Sequence, residues 1–135
     1  MKSLGYEVIN PSLPDDDFNE SVQIARRCIK EDTPDMIVGS SRGGAVAMAA
    51  ARSLDSMILV CPAWKKFGVT PRHDVLSKSI ILHSKTDDVV LHEDSNYLFK
   101  EFDASLISCG EGHRMIDEDA LKTLKSTLEG VLFCK

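Results

Sequence analysis

The sequence predicts an α/β fold: an open parallel sheet of about five strands with flanking helices. Two observations carry this. Five brief apolar runs, at residues 6–10, 36–39, 57–61, 79–83 and 104–109, are rich in Val, Ile or Leu and bounded by Gly, Pro, Asp or Ser, as buried parallel strands are. Helical segments separate them, and strands alternating with helices imply right-handed crossovers and one sheet. No repeat, low-complexity tract or linker interrupts the 135 residues, so residues 1–135 read as a single domain.

The helices follow from caps and faces. Asp17 with Glu20 makes a capping-box start, after which Phe18, Val22, Ala25 and Ile29 line one side. The segment after Arg42 is built from Gly43, Gly44, Ala45, Ala47, Ala49, Ala50 and Ala51, side chains small enough to bring a helix close to a sheet. A third helix follows Leu91, with Leu98 and Phe102 one turn apart. The last starts near Asp117, where Ile116 and Leu121 could form a hydrophobic staple, and Leu121, Leu124, Leu128 and Val131 give an apolar stripe for core packing. The longer connection from Pro62 to Lys78 carries Trp64, Phe67, Pro71 and His73; it reads as an active-site wall with a short helical turn.

Composition narrows the function. The net charge of −5, without a basic cluster, gives no reason to expect nucleic acid or an anionic membrane as partner. The apolar runs are too short to span a bilayer, and residues 1–6 lack the apolar core of a secretory signal. The four cysteines, at 28, 61, 109 and 134, form no CxxC pair. They read as small buried hydrophobes of a reducing cytoplasm rather than as a metal or redox centre.

Chemistry concentrates at three places. Gly39-Ser40-Ser41-Arg42-Gly43 is a G-x-S-x-G sequence following a predicted strand and opening a predicted helix, the setting in which a sharp turn lifts a serine hydroxyl above a sheet edge. Only Ser41 stands midway between the two glycines. A Gly/Ser loop that packs a helix or cradles a phosphate is the competing reading of these residues. Past the strand at 79–83 comes Thr86-Asp87-Asp88-Val89-Val90, with an acid where a histidine-orienting carboxylate belongs. Past the next strand comes Gly110-Glu111-Gly112-His113, placing a histidine at the same edge. The order serine, acid, histidine is one of the known chain orders of the catalytic triad. His83 reads as core at a strand end, while His73 and His92 read as structural or solvated.

Together these segments resemble the α/β-hydrolase family, small capless bacterial serine esterases in particular. Residues 37–44 are similar to its nucleophile elbow, Asp87-Asp88-Val89-Val90 to its D-x-V-V acid loop, with Leu91 where proline is usual, and Gly110–His113 to its G-x-G-H loop. The resemblance implies a reduced α/β-hydrolase core with Ser41 as nucleophile, Asp87 rather than Asp88 as acid, His113 as base and the Arg42 backbone N–H as one oxyanion donor. Family members also have an upstream strand ending in His-Gly, whose following loop supplies a second donor; the sequence begins after that point, and residues 1–4 look like the tail of the helix that would follow it. If residues 6–10 pair with the nucleophile strand instead, Ser12 or Leu13 becomes the candidate second donor, since Pro11 has no N–H.

The expected activity is hydrolysis of short-chain carboxylic esters through an acyl-enzyme, because the sequence has no room for a large lid. Trp64 and Phe67 are candidates for the acyl pocket, and no metal or organic cofactor is implied. The alternatives are a thioesterase or lactonase using the same residues, or a non-catalytic remnant serving as a binding or assembly module. A sheet with most helices on one face leaves the other face bare, which predicts a homodimer.

Overall fold

The computed structural model describes residues 5–133, which form four strands and five helices. In chain order these are α1 (Phe18–Asp32), β1 (Ile37–Ser40), α2 (Arg42–Ala50), β2 (Met57–Val60), α3 (His73–Leu76), β3 (Ser79–His83), α4 (His92–Phe102), β4 (Ser105–Ser108) and α5 (Glu118–Phe133). The strands lie in the order β1-β2-β3-β4, and all neighbours are parallel. This is the expected open parallel sheet with flanking helices. It has four strands rather than about five.

The correction falls on residues 6–10. They carry a strand's composition but form no ladder. A strand exists only when a neighbour takes its backbone N–H and C=O groups, and a cavity of about 330 Å³ lies between this segment and β1, lined by Ile9, Asn10, Pro11 and Leu13 on one side and Ile37, Val38 and Gly39 on the other. Tyr6 and Leu13 anchor the segment instead, packing into separate apolar clusters. The reading of residues 1–4 as a helix tail lies outside the described residues.

Strand alternation divides the core. Met57, Leu59 and Ile81 point to the side covered by Ala47 and Met48 of α2, by Val75 and Leu76 of α3 and by Leu98 of α4. Helix α1 is layered against α2 through Val22, Ile29, Val46 and Ala50. Ile58, Val60 and Leu82 point the other way, onto Ala120, Leu124 and Leu128 of α5. The small side chains of α2 leave Ala45, Val46, Ala47 and Met48 almost wholly buried.

The caps agree with the sequence at one end and depart from it at the other. Asp17 Oδ1 accepts the Glu20 N–H at 2.9 Å, a cap whose loss costs about 1 kcal/mol. At α5, Ile116 and Leu121 stay 61% and 53% exposed, so no buried staple forms. Asp117 starts that helix, its carbonyl taking the Leu121 N–H and its carboxylate the Ala120 N–H. The stripe against the sheet therefore runs through Ala120, Leu124 and Leu128. No described helix is long and apolar enough to cross a membrane.

Candidate active site

Ser41 sits between β1 and α2 with φ 53° and ψ −116°, a conformation costing a non-glycine residue roughly 1–3 kcal/mol. Four backbone bonds hold it there. Its N–H donates to Val60 O, and its carbonyl accepts from the N–H groups of Gly44, Ala45 and Ala63. The turn also requires close approach. A Cβ at Gly39 would lie 2.5 Å from Gly43 O, and one at Gly44 would lie 2.9 Å from Pro62 Cα, whereas one at Gly43 would meet nothing. The sterically demanding glycines are thus 39 and 44, and the second glycine of the G-x-S-x-G pattern is not one of them.

Ser41 Oγ lies 2.8 Å from His113 Nε2, and His113 Nδ1 lies 2.9 Å from Asp87 Oδ2. An ionised carboxylate only accepts, so Nδ1 carries the proton facing Asp87 and Nε2 is left to accept the Ser41 hydroxyl. The Asp87 side chain is fully buried, yet its second oxygen accepts the Val89 and Val90 N–H groups at 2.8 and 2.9 Å. Burial pushes its pKa up, but the hydrogen bonds from His113, Val90 and Val89 outweigh this and hold the carboxyl below the ordinary aspartate range. Asp88 is exposed; it is Asp87 that the structure brings to His113.

The histidine loop is pinned by residues that the sequence reading passed over. Ser84 Oγ donates to Gly110 O and accepts the Gly112 N–H, which also reaches Thr86 Oγ1. Asp117 and Asp119 take the Glu111 and Gly110 N–H groups, each at 2.8 Å. Gly110 must lack a side chain: φ is +77°, and a Cβ there would lie 2.9 Å from Ala120 Cβ. The available signal was the Ser84 and Thr86 pair directly before the acid, since such hydroxyls commonly bond nearby backbone.

Cys61, just past β2, donates its thiol to His113 O at 3.2 Å. Burial first, and then the Asp87 charge, push the thiol's pKa up to about 11, so it acts as a neutral donor. Cys61, Asp87 and His113 offer ligand atoms within 4.8 Å of one another and could together hold a metal ion. In the structure each is engaged in the hydrogen bonds just described.

The remaining candidates surround this centre. Arg42 opens α2, so its N–H has no carbonyl within the helix. Its guanidinium reaches back to Pro14 O and Ser21 Oγ at 2.7 and 3.0 Å, and its Cζ lies beside the Phe18 and Phe67 rings, 5.7 and 5.8 Å from their centroids. This ties the segment carrying Ser12 and Leu13 beside the elbow. Trp64 follows Ala63, the residue bonded to Ser41 O, but its ring stacks on Tyr97 and its Nε1–H donates to Asp94 O. Phe67 stacks on Phe18 with centroids 5.1 Å apart. Both aromatics therefore have packing partners of their own. His73 bonds Asp103, and His92 bonds Ser108.

The parallel sheet has Ser41, Asp87 and His113 past the ends of β1, β3 and β4, and solved structures of the α/β-hydrolase fold superpose on the chain. A protein described as a hydrolase of the α/β superfamily from Xanthomonas campestris aligns with TM-score 0.69 and 22% identity over 85% of this chain and 67% of its own. Mouse α/β hydrolase domain-containing protein 10 aligns with TM-score 0.65 and 16% identity over 91% and 72%. A CIB-like hydrolase from Thermoplasma acidophilum gives TM-score 0.61 and 20% identity over 84% and 59%. No protein-family profile matches the sequence, and no curated protein matches it.

Proposed function

We propose that the chain is a serine hydrolase that cleaves short-chain carboxylic esters through an acyl-enzyme on Ser41. The observation that carries this reading is the unbroken series of hydrogen bonds from Ser41 Oγ through His113 to a buried, ionised Asp87. His113 Nε2 takes the hydroxyl proton as Oγ attacks the ester carbonyl, and Asp87 stabilises the imidazolium that forms. The tetrahedral oxyanion is held by the Arg42 N–H; Ser12 or Leu13 is the proposed second donor, on the ground of the Arg42 guanidinium bond to Pro14 O beside them rather than of strand pairing. Collapse expels the alcohol, protonated by His113, which then activates water to release the acid.

Every element of this scheme comes from side chains and backbone of the chain, with a small ester as partner and neither nucleic acid nor membrane involved. We place its work in the cytoplasm, where the unpaired thiols of Cys28, Cys61 and Cys109 stay reduced. Hydrolysis of a short p-nitrophenyl ester tests the reading. Ser41→Ala and His113→Ala lower kcat by at least about 10³-fold while circular dichroism stays that of the folded protein. Full activity in the Ser41 variant contradicts the mechanism.

A further inference from the structure

His83 ends β3 and is fully buried, and the acyl-transfer scheme above gives it no part. Its ring nevertheless touches the same carboxylate oxygen as His113. His83 Nε2 lies 3.1 Å from Asp87 Oδ2 and 2.9 Å from Val90 O. A carbonyl only accepts, so Nε2 carries a proton, shared between Val90 O and Asp87 Oδ2. At the ring's other end the hydroxyl of Ser95, also fully buried, lies 2.6 Å from Nδ1. Ser95 donates to Nδ1 and so keeps the Nε2–H facing Asp87.

A polar ring buried at the end of an apolar strand costs free energy unless its nitrogens are bonded. An apolar residue would fill the same space without that cost. What the imidazole supplies is its N–H at Asp87. The Val89 and Val90 N–H groups fix only Oδ1. Without His83, Oδ2 is held, among the described residues, only by His113, the group it has to orient.

We propose that His83, set by Ser95, is a positioning residue for Asp87. It fixes the rotation of the carboxylate so that Oδ2 faces His113 Nδ1, and it ties the turn at residues 87–90 to β3 and α4. The inference rests on the serine-hydrolase reading and extends its hydrogen-bond series to Ser41, His113, Asp87, His83 and Ser95.

Three variants of the full chain test it: His83→Leu removes the N–H, His83→Gln keeps an N–H the same number of bonds from Cβ, and Ser95→Ala removes the donor to Nδ1. The readouts are kcat and KM on a short p-nitrophenyl ester and the His113 Nδ1–H resonance of ¹⁵N-histidine-labelled protein. His83→Leu lowers kcat roughly 10- to 100-fold with KM nearly unchanged, and displaces or broadens that resonance. His83→Gln restores both, and Ser95→Ala gives a smaller change of the same kind. Leu and Gln variants equally impaired overturn the proposal in favour of packing, and so does a Leu variant with native kcat and resonance. If His83→Leu does not fold, Gln and Ser95→Ala decide: a displaced resonance in Ser95→Ala with a native one in His83→Gln supports the proposal, and an unmoved one in Ser95→Ala overturns it. A native chain without esterase activity would sink the hydrolase reading alone, because the resonance still reports whether His83 positions Asp87.

Discussion

Asp87 concentrates the site's electrostatics: one buried carboxylate accepts from His113, His83, Val89 and Val90. Its neighbour Asp88 points to solvent. Asp87→Asn therefore removes most of the activity, on the order of 10³- to 10⁴-fold in kcat, while Asp88→Asn stays within a few-fold; steady-state kinetics on one ester compares them. The same carboxylate makes stability depend on pH. Against its burial, the bonds from His113, Val90 and Val89 lower its folded pKa, and those of Asp55, beside Arg52, and of Asp117 are lowered too. Stability from a lowered carboxyl is present above the unfolded value, about 3.9, and is lost as pH falls through the folded value. Urea midpoints accordingly hold steady down to about pH 4 and drop below it, with a shallower drop in Asp87→Asn.

At the scale of elements, the elbow is a contact between β1, α2 and the turn after β2, and glycines 39 and 44 set its spacing. Gly39→Ala and Gly44→Ala force backbone apart and destabilise by about 1–3 kcal/mol or more. Gly43→Ala lies in a helix with open space at Cβ and stabilises by about 0.5–1 kcal/mol. Thermal unfolding of the three variants checks the order. Sequence pattern alone treats glycines 39 and 43 of G-x-S-x-G alike, because it records the chain order and not what lies across from each residue. The same limit explains residues 6–10, whose composition suits a strand but which pair with no described strand. It also explains His83, whose bond to Asp87 crosses a strand end. The three motifs were legible because nucleophile, acid and base each demand a particular residue type at a strand's C-terminal end.

On the scale of the whole molecule, the sheet is unevenly covered. One face carries α2, α3 and α4 with α1 layered outside, while α5 covers the middle of the other. Val38, which pairs with Ile58, and Ile107, which pairs with Leu82, belong to the α5 face on either side of its middle and stay 38% and 39% exposed. The outer edge of β1 pairs with no described strand. An apolar face beside an open strand edge favours association, and a homodimer is the expected state. Sedimentation at micromolar concentration then gives a mass near twice 14.9 kDa; a monomer with full esterase activity shows that the sheet needs no second chain.

In the proposed function, His113 and Asp87 activate Ser41 and no other hydroxyl. Reaction with a fluorophosphonate, mapped by mass spectrometry, reads this out, since only an activated serine is phosphonylated at a useful rate. One adduct per chain is expected, on the peptide containing Ser41, absent in Ser41→Ala and formed far more slowly in His113→Ala. No adduct on the folded protein, or one that persists on another residue in Ser41→Ala, would contradict it.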